Sequence, residues 1–304
     1  MNIRDLKYLV AVAEQKHFGK AAEACFVSQP TLSTQIKKLE EFLGVTLIER
    51  TNRQVLLTPA GELVVRQARV VLGDLNDLVQ LAEQQRDPLG GELRLGIIPT
   101  VAPYLLPKIL PKLRKAFPNL ALQLTEAQTS VITNMLKLGE LDALILALPT
   151  EEDHLTEIPL YIEPFYLAVG SQHPKAGAKT ASLSDLDEAE VLLLEDGHCL
   201  RDQALEVCNS ANAVENTNFR ATSLETLRQM VAADIGITLM PELALGTPFK
   251  DRGSRARGRP IRSEGVSYIP FRKPVPFRQI GLAWRQSSTR RELLQKMAEL
   301  LKES

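Results

Sequence analysis

Cysteine is scarce in this chain: three residues in 304, at Cys25, Cys199 and Cys208. No pair has CxxC spacing, so a zinc site would have only Cys199, Cys208 and His198 to draw on, and neither a metal nor a cofactor is expected. No apolar run reaches about 18 residues, which excludes a membrane-spanning helix. The start, Met1-Asn2-Ile3-Arg4-Asp5-Leu6, lacks the basic and apolar regions of a secretory leader. A cytoplasmic protein is therefore expected, and in that compartment a static structural disulfide is disfavoured. There is also no excess of charge. Lys+Arg number 36 against 37 Asp+Glu, a formal net charge of -1, so any DNA binding must come from placed cations rather than a bulk field.

What is present is an ordinary globular composition, 44% hydrophobic and 24% charged. The length suits two or three domains. Leu6, Leu9, Val10 and Ala13 mark one helical face, and Phe18, Ala21, Ala22 and Cys25 a second. A third helix starts at Ser28, a good N-cap, with Pro30 in the first turn. Leu32, Ile36, Leu39 and Leu43 give its apolar face and Gly44 its stop. The small Ala21-Ala22 pair permits a close helix crossing, as a helix-turn-helix requires. The other face of the third helix offers Gln29, Thr31, Ser33, Thr34 and Gln35 for base edges and Lys37 and Lys38 for phosphates. The runs 45–50 and 54–57 then predict a hairpin wing that carries Arg50 and Arg53 to the DNA backbone or minor groove. On periodicity alone, a plain three-helix core with a solvated outer face accounts for these positions equally well.

Between Pro59 and Pro88 there is no proline, and Val64, Ala68, Val71, Leu75, Leu78 and Ala82 form an a/d seam. This predicts a linker helix that pairs with its twin, ended by the hinge Pro88-Leu89-Gly90-Gly91. The predicted domains are a winged helix-turn-helix over 1–58, a linker helix and hinge over 59–90, and a regulatory domain over 91–304.

The motifs Phe18-x-x-Ala21-Ala22, Val27-Ser28-Gln29-Pro30-Thr31-Leu32-Ser33, Leu39-Glu40-x-x-Leu43-Gly44, Leu47-Ile48-Glu49-Arg50 and Leu57-Thr58-x-Ala60-Gly61 resemble those of the LysR-type transcriptional regulators. The resemblance implies a third helix in the major groove, with Ser28 to Lys38 as the reading segment and Arg50 and Arg53 on the flanking backbone. It also implies double-stranded promoter DNA and RNA polymerase as partners, a homodimer through the linker helix, and a tetramer of such dimers.

From Glu92 onward strand-like and helix-like stretches alternate, which predicts an α/β fold with a mainly parallel sheet. The family's regulatory domain has two Rossmann-like lobes resembling periplasmic binding proteins. By that likeness lobe I covers 91–160 and 268–304 and lobe II 161–267, with crossings near Leu160 and Tyr268. A basic stretch, 246–265, holds Lys250, Arg252, Arg255, Arg257, Arg259 and Arg262 against Asp251 and Glu264. It reads as a solvated loop, with a supplementary phosphate contact as the alternative.

Cys199 and Cys208 have eight residues between them. Cys199 follows Gly197 at the expected start of a helix, beside His198 and Arg201. A helix N-terminus and neighbouring cations lower a thiol pKa. On an unbroken helix, nine steps of 1.5 Å hold the two Cα atoms about 13 Å apart, against a disulfide limit of about 7 Å. A bond between them requires the segment to unwind and repack. By residue type alone, buried inert cysteines and a structural histidine are the commoner case, and Cys25 keeps that reading. The segments Ile98-Pro99-Thr100-Val101, Glu126-Ala127-Gln128-Thr129, 195–203 and 221–228 resemble the hydrogen-peroxide-sensing members of the family. That resemblance implies Cys199 as the peroxidatic thiol and Cys208 as its disulfide partner. It implies a peroxide pocket made by Thr100, Thr129, His198, Asp202 and Arg278, with Arg201 stabilising the thiolate. It further implies reset by a cellular thiol reductant, glutaredoxin with glutathione or thioredoxin. The alternatives are a regulator answering to a small anionic inducer in the inter-lobe cleft, with inert cysteines, and a thiol peroxidase or solute-binding protein with an appended domain. The helix-turn-helix pattern argues against the last two.

Overall fold

The structure is a computed structural model that describes residues 1–50, 55–187, 189–245, 261–263 and 265–302. The chain forms two compact units, Met1–Asp87 with Met135–Leu141, and Pro88–Asn134 with Asp142–Ser304. Among the described residues no helix is long and apolar enough to cross a membrane.

In the first unit α1 (Ile3–Gln15) begins at a capping box: Asp5 N donates to Asn2 Oδ1 at 3.0 Å and Asn2 N to Asp5 Oδ2 at 2.7 Å. Helix α2 (Phe18–Ala24) is capped by His17, whose Nδ1 accepts from Gly19 N and Lys20 N at 3.0 and 3.2 Å. Helix α3 (Gln29–Leu43) starts at Ser28 and stops at Gly44, left-handed at φ 69°. Leu9, Val12, Ala21, Ala22, Leu32, Ile36 and Leu39 are buried together; on α1 the buried face turns through Val12, and the expected Val10 and Ala13 are half-buried at its edge. A short wing follows: β1 (Ile48–Arg50) pairs antiparallel with β2 (Val55–Leu57). Its base is tied to α3 by Glu40 Oε1, which accepts from Leu47 N at 2.8 Å and Ile48 N at 3.1 Å. Gly61 is fixed by packing, since a Cβ there would lie 2.0 Å from Leu47 O. The long helix α4 (Pro59–Gln84) carries the predicted seam. Ala68 is buried and Val64 half-buried, while Val71, Leu78 and Ala82 are exposed. The seam is therefore divided: Val64 packs against the core of its own unit, Leu75 is half-buried, and Val71, Leu78 and Ala82 stay open.

The second unit is built on an eight-stranded mixed sheet and a separate two-stranded parallel sheet. Strand β3 (Gly91–Ile97) runs parallel to β4 (Leu120–Glu126) and to β5 (Ala143–Leu148). Helix α5 (Ala102–Ala116) connects β3 to β4, and α6 (Thr129–Lys137) follows β4. Strand β6 (Leu155–Gly170) is sixteen residues long and spans two neighbourhoods. Residues 155–164 pair with β12 (Phe277–Arg285), and 165–170 pair with β9 (Thr238–Pro241) and β11 (Val266–Pro270). The expected mainly parallel sheet is thus corrected, because β6 and β12 lie antiparallel to their neighbours. Along β6 the change of partners falls at Pro164/Phe165, and between β11 and β12 in the 271–276 connection. Helix α7 (Cys199–Ser210) links the parallel strands β7 (Glu190–Leu194) and β8 (Val214–Ala221), and α8 (Leu224–Ala232) starts at Ser223. Strand β10 (Ile261–Ser263) edges the sheet beside β11, and α9 (Arg291–Lys302) closes the described chain. Most of the basic stretch 246–265 lies outside the described residues; Arg262 sits in β10.

Candidate functional sites: a helix-turn-helix face and a cysteine site

The exposed face of α3 carries Gln29, Pro30, Thr31, Thr34, Lys37 and Lys38, with Ser33 and Gln35 half-buried. Its hydroxyls are partly committed to the helix itself. Ser28 Oγ accepts from Thr31 N at 3.3 Å and lies 2.7 Å from Thr31 Oγ1, and Thr34 Oγ1 donates to Pro30 O at 2.8 Å. Ser28 acts here as a cap, and Gln29, Lys37 and Lys38 are exposed on the same helix. Lys37 lies 4.0 Å from Glu41, an exposed pair of little strength. Arg53 and the side chain of Arg50 lie outside the described residues.

Cys199 is half-buried at the first position of α7, and all three cysteines are free thiols. Leu200, Ala204 and Cys208 recur every four residues and face the core formed with β7, so Cys208 is a core residue at 1% exposure. Burial, reinforced by the nearby Glu215 carboxylate, pushes its thiol up to about 11. The helix runs unbroken between the two cysteines, which keeps them about 13 Å apart at 1.5 Å per residue.

The two basic residues flanking Cys199 in sequence are themselves engaged by carboxylates. Arg201 Nε donates to Asp196 Oδ1 at 2.9 Å, and Nη1 and Nη2 donate to Glu215 at 2.6 and 3.0 Å. Residues two apart on a helix do not share a face, so Arg201 is held by β8 and by Asp196. Arg201 is thus the centre of an ion-pair cluster. Arg220 joins the same cluster through Asp196 Oδ2 at 2.9 Å. His198 is buried, and burial lowers its pKa against a weaker opposing effect of Glu195, so the ring is neutral near pH 7. Cys199 stands at the N-terminal end of α7, an end that favours negative charge. Asp202 is exposed in the first turn of α7.

The start of α6 meets the turn before α7. Gln128 Nε2 donates to Glu195 Oε1 and Asp196 O, both at 3.4 Å. Gly197, at φ 94°, leaves room for it, since a Cβ there would lie 2.5 Å from Gln128 Oε1. Glu195 Oε1 in turn lies 3.9 Å from His198 Nε2. The chain Thr129–Gln128–Glu195–His198–Cys199 is thereby closed through space and sequence. Thr129 Oγ1 and His198 Nδ1 are buried and have no hydrogen-bond partner among the described residues.

Thr100 and Arg278 are joined directly. Arg278 Nη1 donates to Thr100 Oγ1 at 2.9 Å and Nη2 to Thr100 O at 3.2 Å. Arg278 Nε donates at 2.7 Å to Glu163, its cross-strand neighbour on β6, and Glu163 Oε1 accepts from Leu243 N at 2.6 Å. Because Arg278 fills the acceptor side of the Thr100 hydroxyl, its proton is left to donate. Thr100 and Thr129 both follow the C-terminal ends of parallel strands, β3 and β4, where open α/β sheets bind ligands. Sequence reading missed Gln128, Glu163, Glu195 and Glu215 as site residues. The available signal was a lone carboxylate in the apolar run Tyr161-Ile162-Glu163-Pro164-Phe165.

Residues 3–62 match the family described as Bacterial regulatory helix-turn-helix protein, lysR family, and residues 86–304 match the LysR substrate binding domain. The chain is 51% identical over 302 residues to the DNA-binding transcriptional dual regulator OxyR of Escherichia coli K12, covering 99% of this chain and 95% of that protein. It is similar to a full-length cysteine-to-aspartate OxyR variant from Pseudomonas aeruginosa, with TM-score 0.76, 37% identity, and 99% and 98% of the two chains covered. A hydrogen-peroxide-bound cysteine variant of Corynebacterium glutamicum OxyR aligns with TM-score 0.65 and 36% identity, over 99% and 92% of the chains. The chain belongs to the LysR family of helix-turn-helix regulators and, within it, to the OxyR group.

Proposed function

We propose that this chain is a cytoplasmic transcription regulator that senses hydrogen peroxide through Cys199 and changes its action on promoter DNA by a reversible Cys199–Cys208 disulfide. The observation that carries the reading is the pairing of a half-buried Cys199 at the start of α7 with a buried Cys208 on the same helix. Oxidation of that pair cannot leave the helix intact.

The Cys199 thiolate attacks one oxygen of the peroxide. The S–O bond forms, the O–O bond breaks, sulfur becomes a sulfenic acid, and the second oxygen leaves as hydroxide and takes up a proton to become water. The Thr100 hydroxyl is prepared to donate by its bond from Arg278. Thr129 Oγ1 and His198 Nδ1 are buried polar atoms without partners among the described residues, suited to a small molecule that both donates and accepts. Asp202, exposed in the first turn of α7, relays a proton to solvent in this reading. Cys208 then attacks the sulfenic sulfur, the disulfide forms, and a second water leaves. A cellular dithiol system, glutaredoxin with glutathione or thioredoxin, reduces the bond.

At the other end, α3 enters the major groove, with Gln29, Thr31 and Thr34 toward base edges and Lys37 and Lys38 toward phosphates. The wing residues Arg50 and Arg53 contact the flanking backbone. The exposed apolar positions Val71 and Leu78 of α4, 40% and 63% exposed, pair two chains as a dimer, and two dimers form the tetramer that meets RNA polymerase. The domain division of 1–58, 59–90 and 91–304 follows this division of labour. The test is a promoter footprint of the full chain before and after stoichiometric peroxide. The wild-type footprint changes and reverts with dithiothreitol, and that of Cys199→Ser does not respond; an equal response in Cys199→Ser would refute the proposal.

A further inference from the structure

Phe26 is 96% exposed, whereas no other large apolar side chain of the described residues exceeds 64%. It sits in the turn between α2 and α3, two residues before the Ser28 cap. Its backbone is left-handed, at φ 56°. That turn is tightly held: Phe26 N donates to Glu23 O and Val27 N to Ala22 O, each at 3.0 Å. A residue in this place after a helix is most often glycine or asparagine, because a side chain there meets its own backbone. A bulky aromatic is the costly choice for both conformation and hydration, so packing within the fold does not account for it.

The position is continuous with the reading face. The exposed Gln29, Pro30 and Thr31 begin immediately after Ser28, and the start of a recognition helix is the end that approaches the bases. We infer that Phe26 is a DNA-contacting residue, packing its ring on the apolar edge of the duplex, thymine methyl or deoxyribose, at the mouth of the major groove. The inference rests on α3 being the helix that enters the groove. It adds an aromatic contact to an interface made mostly of amides, hydroxyls and cationic groups. An apolar contact displaces no counterions, so it contributes affinity without changing the salt dependence.

The experiment measures binding of the full-length protein to a duplex that the wild-type protein itself selects from a random-sequence library. The variants are Phe26→Asn, Phe26→Leu and, as a control on the helix, Gln29→Ala. Phe26→Asn is expected to lose about tenfold in affinity, with an unchanged slope of log affinity against log salt. Its thermal midpoint is equal or higher, because asparagine suits the left-handed backbone. Phe26→Leu keeps most of the affinity. Opposite signs for stability and binding separate a DNA contact from a merely structural role. Wild-type affinity in Phe26→Asn alongside weakened Gln29→Ala overturns the inference and leaves the α3 reading intact, whereas wild-type affinity in both variants overturns that reading first. A loss that accompanies a changed oligomeric state in sedimentation assigns the ring to a protein contact and also overturns the inference.

Discussion

Arg201 and Glu215 form a two-pronged ion pair, 2.6 and 3.0 Å, that fastens α7 to β8 within the reduced protein. Arg201 lies between the two cysteines, so a helix that unwinds to join them must disturb this pair. Arg201→Met is therefore expected to weaken the reduced form relative to the oxidised one by about 1.4 kcal/mol, which moves the reduction potential about 30 mV more negative. Redox titration against glutathione measures it. An activating role for the Arg201 charge would instead appear as slower oxidation by peroxide with an unchanged potential.

Glu163 and Arg278 are a buried pair whose side chains are 1% and 0% exposed. Arg278→Met leaves the Glu163 charge without its partner and is expected to destabilise the fold by about 3–5 kcal/mol. Joining it with Glu163→Gln recovers part of that loss. Urea unfolding of the two variants decides it, and additive losses would contradict the coupling.

Burial raises the Cys208 thiol from 9.0 to about 11. The folded state holds this proton more tightly than the unfolded chain does. Its contribution is complete below pH 9.0 and is lost as pH rises toward 11, about 2–3 kcal/mol at 1.36 kcal/mol per pKa unit. The stability difference between wild type and Cys208→Ala should shrink across that window, and a difference independent of pH would oppose the account.

His198 has the reverse sign. Burial lowers its pKa below 6.5, so the folded state resists protonation. Its contribution is present above pH 6.5 and falls away as acid protonates the ring. The acid limb of the stability curve should flatten in His198→Gln.

The helix-turn-helix was legible because its signals are local: apolar period, the Ser28 cap and the Gly44 stop. The cysteine helix was legible for the same reason. The partners of the site were not. Strand β8 reads as half-exposed and polar, Val214-Glu215-Asn216-Thr217, so neither the strand nor the Glu215 clasp on Arg201 carries an apolar pattern. Sequence adjacency placed Arg201 beside Cys199, and helix geometry took it to another face. Glu163 and Arg278 stand 115 residues apart and meet only through the antiparallel register of β6 and β12. The sheet itself was misjudged because β6 is one long strand that changes partners midway.

The central claim is that peroxide converts the Cys199 and Cys208 thiols into one bond across a refolded segment. Peptide mass spectrometry of the full-length protein after one equivalent of hydrogen peroxide tests it most directly. The account predicts a Cys199–Cys208 cross-linked peptide that disappears on reduction, with Cys25 still a free thiol. Recovery of Cys199 and Cys208 as separate, unlinked peptides under those conditions would contradict it.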